Sequence, residues 1–480
     1  MVQMFARAKP PANSRNGLLF TRAGPYAHHL TSACRSVPRL RPTDSVLAIA
    51  ARLEKAGFEA WCVGGAIRDS LLGGAPLDWD LATSARPEQV RDLFGRKRTI
   101  PVGIEFGTVS VLDGEGTAHE VTTFRHDVRT DGRHAVVEFG ASLDEDLARR
   151  DFTINAIAFR PATGELRDPF GGQRDLDARL VRAVGDAEQR MTEDRLRALR
   201  AIRFAARFRF AIEARTLAAL TNSAPHLARL SAERVQQEIV KTLQQVDAPS
   251  EAFRIWRSTG ALSVLAPSLA EIDDLSLSTL DFLPKDGAAG RSVPQRTVNR
   301  LAALFLDRPS STAGSVLQAL RFSRSDIAWC VTMVDRWRQL HAQIETRLEN
   351  DALPDAEVRR LLATIGRLYV RGFFRIASAR WHAHTAAGLP APDSLAVCRL
   401  YRRLLRSRFH DPIELADLAI GGDDLRAAGI APGPIYAKIL QSLLDRVLEL
   451  PARNTPQALL AELPDVLAAL RASPTISPTH

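Results

Sequence analysis

Two aspartates separated by one residue, Asp78 and Asp80 in LDWDLAT, have the type and spacing that suit metal chemistry. On a β-strand alternate side chains share a face, so the two carboxylates point the same way, roughly 7 Å apart. Paired hard oxygen ligands suit Mg²⁺, which is held by one or two carboxylates together with substrate phosphates. Upstream, a short apolar run, Trp61–Val63, breaks at Gly64-Gly65. A glycine pair lets the backbone approach an anion, and the start of the helix behind it offers N–H groups and a positive dipole. Arg68 adds a permanent cation. Taken singly, Gly-Gly reads as a turn and Asp-x-Asp as a solvated loop. In this order they predict a site for a metal-bound triphosphate.

The elements that must position these groups are legible from the pattern. Trp61–Val63 reads as a strand, the segment with Arg68 and Asp69 as a helix stopping at Gly73-Gly74, and the stretch with Asp78 and Asp80 as a second strand. Before them, Ser45–Ala56 has Val46, Ile49, Ala50 and Leu53 at helical spacing. After them come a short helix, Pro87–Phe94, and two strands, Thr108–Val111 and His119–Phe124, paired around an Asp113-Gly114-Glu115-Gly116 turn. Glu120, Thr122 and Phe124 share a face, which makes Glu120 a candidate third carboxylate; an isolated strand Glu would face solvent. Arg125–Gly140 reads as a charged loop with an Asp131-Gly132 turn, the alternative being a surface hairpin. In DLARRDFTINAIAF, Arg149, Arg150 and Asp151 precede a strand-like run containing Asn155, and DPFGGQRDL comes next as a Gly-broken connector.

From about Asp186 onward the periodicity is helical. Thr192–Phe208 reads as one helix capped by Thr192, with Asp194, Arg197 and Arg200 along one face. An Asp–Arg pair at that spacing is ordinarily a surface ion pair. It also has a chemical reading. A guanidinium that donates beside a carboxylate that accepts imitates a complementary base. Cytosine N3 and adenine N1 accept, each beside an amino group that donates. Uracil and guanine present the opposite pattern, and a mispaired buried group discriminates strongly.

The stretch GGAIRDSLLGGAPLDWDLAT resembles the signature of the nucleotidyltransferase superfamily of DNA polymerase β type. It is most similar to the class II branch, which contains the tRNA CCA-adding enzymes and the bacterial poly(A) polymerases. HEVTTFR, RRDFTINA, EDRLRALR and SAERVQQE match further motifs of that branch in the right order, so the resemblance covers about Glu59 to Leu243. It implies an α+β head built on a small, mainly antiparallel sheet, followed by an all-α neck, body and tail. It also implies catalytic roles for Asp78, Asp80 and Glu120, with two Mg²⁺ ions on Asp78 and Asp80. Nucleotide-binding roles fall on Gly64, Gly65, Arg68, Arg150, Asp151, Asp194, Arg197 and Arg200. ATP and CTP would be the substrates and tRNA the partner. The 125–140 segment would assist the change from CTP to ATP, while Glu233, Arg234 and Glu238 would form structural ion pairs. A poly(A) polymerase shares these motifs but usually carries a basic strand where this chain has GIEFGTVSV, Gly103–Val111. A partial-specificity (A-adding) enzyme and a catalytically inactive RNA-binding protein are the remaining alternatives.

At 480 residues the chain has room for several cores, and its formal charge of +9 favours a polyanionic partner. No apolar run is long enough to span a bilayer, so no membrane association is expected. Cys34, Cys62, Cys330 and Cys398 are too dispersed for a zinc site and fit reduced thiols. Residues 1–43 are rich in Arg and lack Asp and Glu up to Thr43, which predicts a disordered extension. A cytoplasmic protein is expected, with a mitochondrial transit peptide as the competing reading of that extension. The expected order is then a head over 44–160, a neck with the base-selecting motif over 161–245, a helical tRNA-binding body and tail over 246–472, and a frayed end over 473–480. Within the body, Ser276–Gln295 reads as containing a linker, and Arg399, Arg402, Arg403, Arg406 and Arg408 form a candidate phosphate-contacting cluster, a solvated helix face being the plainer reading. The dispersed His-Asp pairs do not supply the ordered ligands of a metal-hydrolase domain. Oligomeric state has no signature in the sequence.

Overall fold

Helix α1 (Asp44–Lys55) buries Val46, Ile49, Ala50 and Leu53, the stripe its spacing predicts. The computed structural model describes residues 40–472 except 77, 131–134, 285–293 and 350–352. The expected N-terminal extension up to residue 39, the Asp131-Gly132 turn and the C-terminal 473–480 lie outside the described residues. Behind α1, strand β1 (Ala60–Val63) is buried throughout its length. It leads through Gly64 into α2 (Gly65–Leu71). The chain returns as β2 (Asp80–Thr83), passes through α3 (Pro87–Phe94), and adds β3 (Thr99–Ile100), β4 (Thr108–Leu112) and β5 (Ala118–Thr123).

The hairpin β6 (Arg125–Thr130) and β7 (Ala135–Phe139) stands as its own two-stranded sheet, so the segment read as a charged loop is a hairpin. After α4 (Leu143–Ala148) come β8 (Ala158–Arg160) and β9 (Glu165–Arg167), which complete a seven-stranded sheet in the order β3-β4-β5-β2-β1-β8-β9. Every neighbouring pair in it is antiparallel except β2 and β5, which run parallel. Trp61, Val63, Ala82, Phe124, Leu147 and Ala158 form a core cluster in this region.

Beyond β9 the chain is mostly helical, apart from a parallel pair β10 (Leu180–Val181) and β11 (Ala211–Ile212). The DPFGGQRDL connector contains a helix, α5 (Gly172–Asp177). Then come α6 (Ala187–Glu193), α7 (Leu196–Phe208), α8 (Ala214–Ser223), α9 (Ala232–Gln245), α10 (Pro249–Ser258) and α11 (Ala261–Leu265). The single helix expected over Thr192–Phe208 is therefore two. Asp194 between them is extended, with φ −146° and ψ 104°, and the Thr192 hydroxyl, rather than capping a helix, bonds back to the Glu188 carbonyl.

The described residues divide into two compact units, with the boundary at Glu271 and Ile272. The second unit is helical. Its longest helix, Arg324–Glu349, and the helix Ser394–His410 fall where periodicity places them. The helix Val370–Ala386 is one that periodicity does not announce. Its core positions include Phe373, Phe374, Ile376, Trp381 and Ala383, spread too widely around the helix to give a one-sided stripe. The stretch read as containing a linker is preceded and entered by helix Asp274–Thr279, whose Ser276 hydroxyl donates to Asp307 at 2.6 Å. Buried Arg380 binds the same carboxylate at 2.9 Å, fixing that corner of the unit.

Candidate active site

The carboxylates converge through sheet register. Val63 pairs with Asp80 across β1 and β2, and the parallel register Leu81–Val121 sets Asp80 beside Glu120 on β5. Asp78 lies just before β2 rather than on it, a correction to the reading that put both aspartates on one strand. The inside–outside alternation nevertheless holds. Asp78 is exposed, Trp79 is buried with its indole N–H donating to the Pro76 carbonyl at 2.9 Å, and Asp80 is half-buried. Burial, then the charges of Glu120 and Asp78, push the Asp80 carboxyl up to about 6, while Arg150 pulls it the other way. Like-charged groups close enough to do this make a centre that gains by accepting a cation.

Gly64 sits at the junction of this centre with the rest of the cavity. Its φ is +79°, and a Cβ there would meet Arg150 Nη1 at 3.2 Å and Asp80 Oδ2 at 3.8 Å. Glycine suits both the backbone and the space. Beyond Gly65, Arg68 is buried rather than reaching freely into solvent. It donates to Asp69 at 2.8 Å and to Asn155 Oδ1 at 2.5 Å, and it lies over the rings of Phe204 and Phe208. Burial lowers its pKa, with Asp69 opposing.

The RRD motif comes directly after α4, which begins with a capping box between Ser142 and Glu145. Buried Asp146 on α4 accepts from Arg149 at 2.8 Å and from Arg150 at 3.3 Å, setting both guanidinium groups. Asp151 pairs with Arg200 at 2.6 Å and accepts from the Asn155 amide at 2.9 Å. Its burial would raise the carboxyl pKa, but Arg200 and these hydrogen bonds outweigh that and hold it below the usual range. Asn155 lies in a short 3-10 turn, Thr153–Asn155, not in the strand expected there. Its two ends join Arg68 to Asp151, a bridging role that the motif does not disclose.

Asp194 and Arg197 both line the cavity but do not pair with each other in the way a surface ion pair would. Asp194 accepts from the Leu196 N–H at 3.0 Å and from Arg234 of α9 at 2.7 Å. Arg197 donates to Glu193 at 2.8 Å and to the Arg149 carbonyl at 3.0 Å. The break before α7 gives the two side chains separate partners, and both line the cavity. Of the three residues that the resemblance assigns to structural ion pairs, Arg234 pairs with Asp194 and Glu238 with buried Arg203 at 2.7 Å, while Glu233 is exposed.

One open cavity of about 540 Å³ is lined by Asp80, Arg150 and Asp151 together with Asp194, Arg197 and Arg200, while Asp78 and Glu120 are not part of its lining. Its lining carries eight cationic side chains and three carboxylates, the polarity expected for a polyanion site. Arg203, Phe204, Arg207, Lys241 and Gln245 also line it, although the sequence reading assigns them no role. The three-residue recurrence of Arg in LRALRAIRF is the signal that marks Arg203. Among the described residues, no three His, Cys, Asp or Glu side chains form a metal-binding group by themselves.

Residues 60–182 match the poly A polymerase head domain, and residues 209–273 match a probable RNA- and SrmB-binding site of polymerase A. The CCA-adding enzyme of Lactobacillus delbrueckii subsp. bulgaricus is 36% identical over 419 residues, 86% of this chain and 94% of that one. That of Latilactobacillus sakei subsp. sakei is 36% identical over 422 residues, covering 86% of this chain and 96% of the relative. Among solved structures, the Bacillus stearothermophilus CCA-adding enzyme in complex with CTP superposes with a TM-score of 0.70 at 29% identity, over 89% of this chain and 98% of that one.

Proposed function

The chain belongs to the CCA-adding enzymes, a family of tRNA nucleotidyltransferases, and from that premise we propose that it adds C, C and A to the 3′ end of tRNA from CTP and ATP, releasing pyrophosphate. The observation that carries this reading is the shared cavity, which brings Asp80 of the carboxylate cluster together with an acceptor and a donor, Asp194 and Arg197. The Asp78, Asp80 and Glu120 cluster suits Mg²⁺, because the acidic groups already raise the proton affinity of Asp80 and substrate phosphates can complete a cage that they do not close. Asp78 and Asp80 would hold two such ions, which when bound lower the pKa of the primer 3′-OH and neutralise charge on the leaving phosphates.

The protein's own groups do the rest. Gly64 and Gly65 clear the approach for the nucleotide phosphates, and Arg150, close to both Gly64 and Asp80, supplies charge there. Arg68 and Arg200 supply fixed positive charge in the wall. Asp151 also lines the cavity, where a carboxylate can accept from a ribose hydroxyl. Asp194 accepts from the amino group of cytosine or adenine, while Arg197 donates to the ring nitrogen beside it. UTP and GTP offer a donor where Arg197 donates and an acceptor where Asp194 accepts, so they are rejected. Selection is then made by protein, with no nucleic-acid template.

Replacement of Asp78 or Asp80 by Ala tests the assignment of the carboxylates. Each change should abolish both C and A addition and leave tRNA affinity within about twofold, because phosphate contacts dominate RNA binding. Polymerisation retained by either variant would remove the carboxylates from the mechanism.

A further inference from the structure

The far end of the cavity, beyond Arg200, has a composition of its own. Arg197, Arg200, Phe204 and Arg207 recur at steps of three, four and three residues, so they form one stripe along α7. Ten residues at a rise of 1.5 Å place Arg207 about 15 Å from Arg197 along the helix axis, a span comparable to an extended nucleoside triphosphate. Helix α9 runs beside α7 in the same sense. Its Arg234 meets Asp194, its Glu238 meets Arg203, and its Gln245 accepts from Arg203 at 3.2 Å. Lys241 therefore also lies toward the Arg207 end.

Both cations there are loosely held. Arg207 is about a third exposed and 3.3 Å from Asp69, a carboxylate that also takes the closer Arg68 at 2.7 Å. Lys241 is 44% exposed and 3.7 Å from Glu238, which Arg203 already engages at 2.7 Å. Each shares its carboxylate with a more tightly bound arginine, so positive charge is left facing the cavity. Phe204 and Phe208 fix the approach, with Arg207 over the Phe208 ring at 4.9 Å and Arg200 over the Phe204 ring at 5.4 Å.

We propose that Arg207 and Lys241 form the subsite for the terminal phosphate of the incoming nucleotide, making the cavity measure phosphate-chain length as well as base identity. The proposal rests on the nucleotide lying along α7 with its base at Asp194 and Arg197. A triphosphate reaches the Arg207 end, whereas a diphosphate falls short of it. The subsite also receives the γ-phosphate while it leaves as part of pyrophosphate.

The test is calorimetric titration of CTP, CDP and CMP into the full-length chain with Mg²⁺ present and no tRNA. The same titrations are made on Arg207→Ala, Arg207→Lys and Lys241→Ala. The parent should bind CTP more tightly than CDP. Arg207→Ala should weaken CTP by about tenfold or more, the loss of a hydrogen bond to a charged group, with CDP and CMP unchanged. Arg207→Lys should recover part of that loss, and Lys241→Ala should show a smaller loss of the same selectivity. Equal weakening of all three nucleotides, with a lower melting temperature, would show that Arg207 only latches α7 to Asp69 and would overturn the proposal. An unchanged ratio of CTP to CDP affinity in both alanine variants would overturn it too. If the parent binds UTP and GTP as well as CTP, the base-end assignment fails, and this inference fails with it.

Discussion

At the residue scale, two side chains bear the greatest weight. Asp80 has a folded-state pKa of about 6 against an ordinary 3.8, raised by burial and by Glu120 and Asp78. The folded chain therefore binds more protons than the unfolded one between those values, and stability falls as pH rises through the window. Asp80→Asn should accordingly raise the stability of the metal-free protein at pH 8 by about 1–2 kcal/mol, after allowing for partial solvent screening. The gain should vanish as pH drops below about 4, the ordinary carboxylate value, and shrink when Mg²⁺ is added. Denaturant melts at several pH values with EDTA or Mg²⁺ decide it; a gain independent of pH would mean that the shift is not electrostatic. If Arg197 donates to the base as proposed, Arg197→Ala removes that donor. Discrimination against UTP and GTP should fall by about 1–3 kcal/mol in relative incorporation. A variant that melts earlier but keeps its C and A preference would place base selection elsewhere. The motif residues themselves are legible in the sequence because each brings distinctive chemistry. Asp146, Asn155 and Asp69 are not legible there as positioning groups. What matters about them is which arginine they hold, and those pairings span up to 138 residues.

At the element scale, strands β1, β2, β4 and β5 and helices α1 and α3 form close to where the pattern places them. β5 alternates and α1 buries one stripe, whereas β1, buried throughout, is legible only as a short apolar run. The departures have local causes. Helical propensity runs unbroken through TEDRLRALR, but Asp194 uses its side chain on the Leu196 N–H and its backbone turns extended, which ends α6 and starts α7. Similarly, TINAIAF alternates like a strand, but its first residues form a tight turn held by Asp175 and packed on Gly172. That packing gives a sharp test. A Cβ on Gly172 would lie 2.2 Å from the Thr153 carbonyl oxygen and 2.7 Å from Ile157. Gly172→Ala should cost about 1–3 kcal/mol or more in stability. It should also raise KM for both nucleotides, because the displaced turn carries Asn155; a stable variant with normal KM would separate the turn from the site. For hairpin β6–β7, shortening 128–133 should spare C addition more than A addition if the segment takes part in the change of nucleotide. Equal loss of both would leave it a structural hairpin.

At the scale of the whole molecule, the formal charge of +9 and the cationic cavity agree on polyanionic ligands, while the stretches that bear on RNA are less distinctive in sequence. No helix among the described residues is long and apolar enough to cross a membrane. The basic cluster on Ser394–His410 illustrates why the second unit resists reading from sequence. Arg403 is paired with Asp355 at 2.6 Å and Arg408 lies over Phe409, whereas Arg402 and Arg406 are exposed. Sequence spacing does not separate engaged charges from exposed ones. If Arg402 and Arg406 touch tRNA phosphates, replacing them by Ala should lower the slope of log affinity against log salt by about 0.7–0.9 for each phosphate that is no longer neutralised. CTP affinity should stay the same. An unaltered slope would make the cluster an ordinary solvated face. Protein-directed addition of a defined trinucleotide is decided by a single extension experiment. The purified chain is given tRNA lacking its CCA end, Mg²⁺, and radiolabelled CTP and ATP, and the products are resolved by length. Two nucleotides should be added with CTP alone and three, ending in A, with both; UTP and GTP should add nothing. Long adenylate tails, addition of A only, or an unextended tRNA would contradict protein-directed CCA addition.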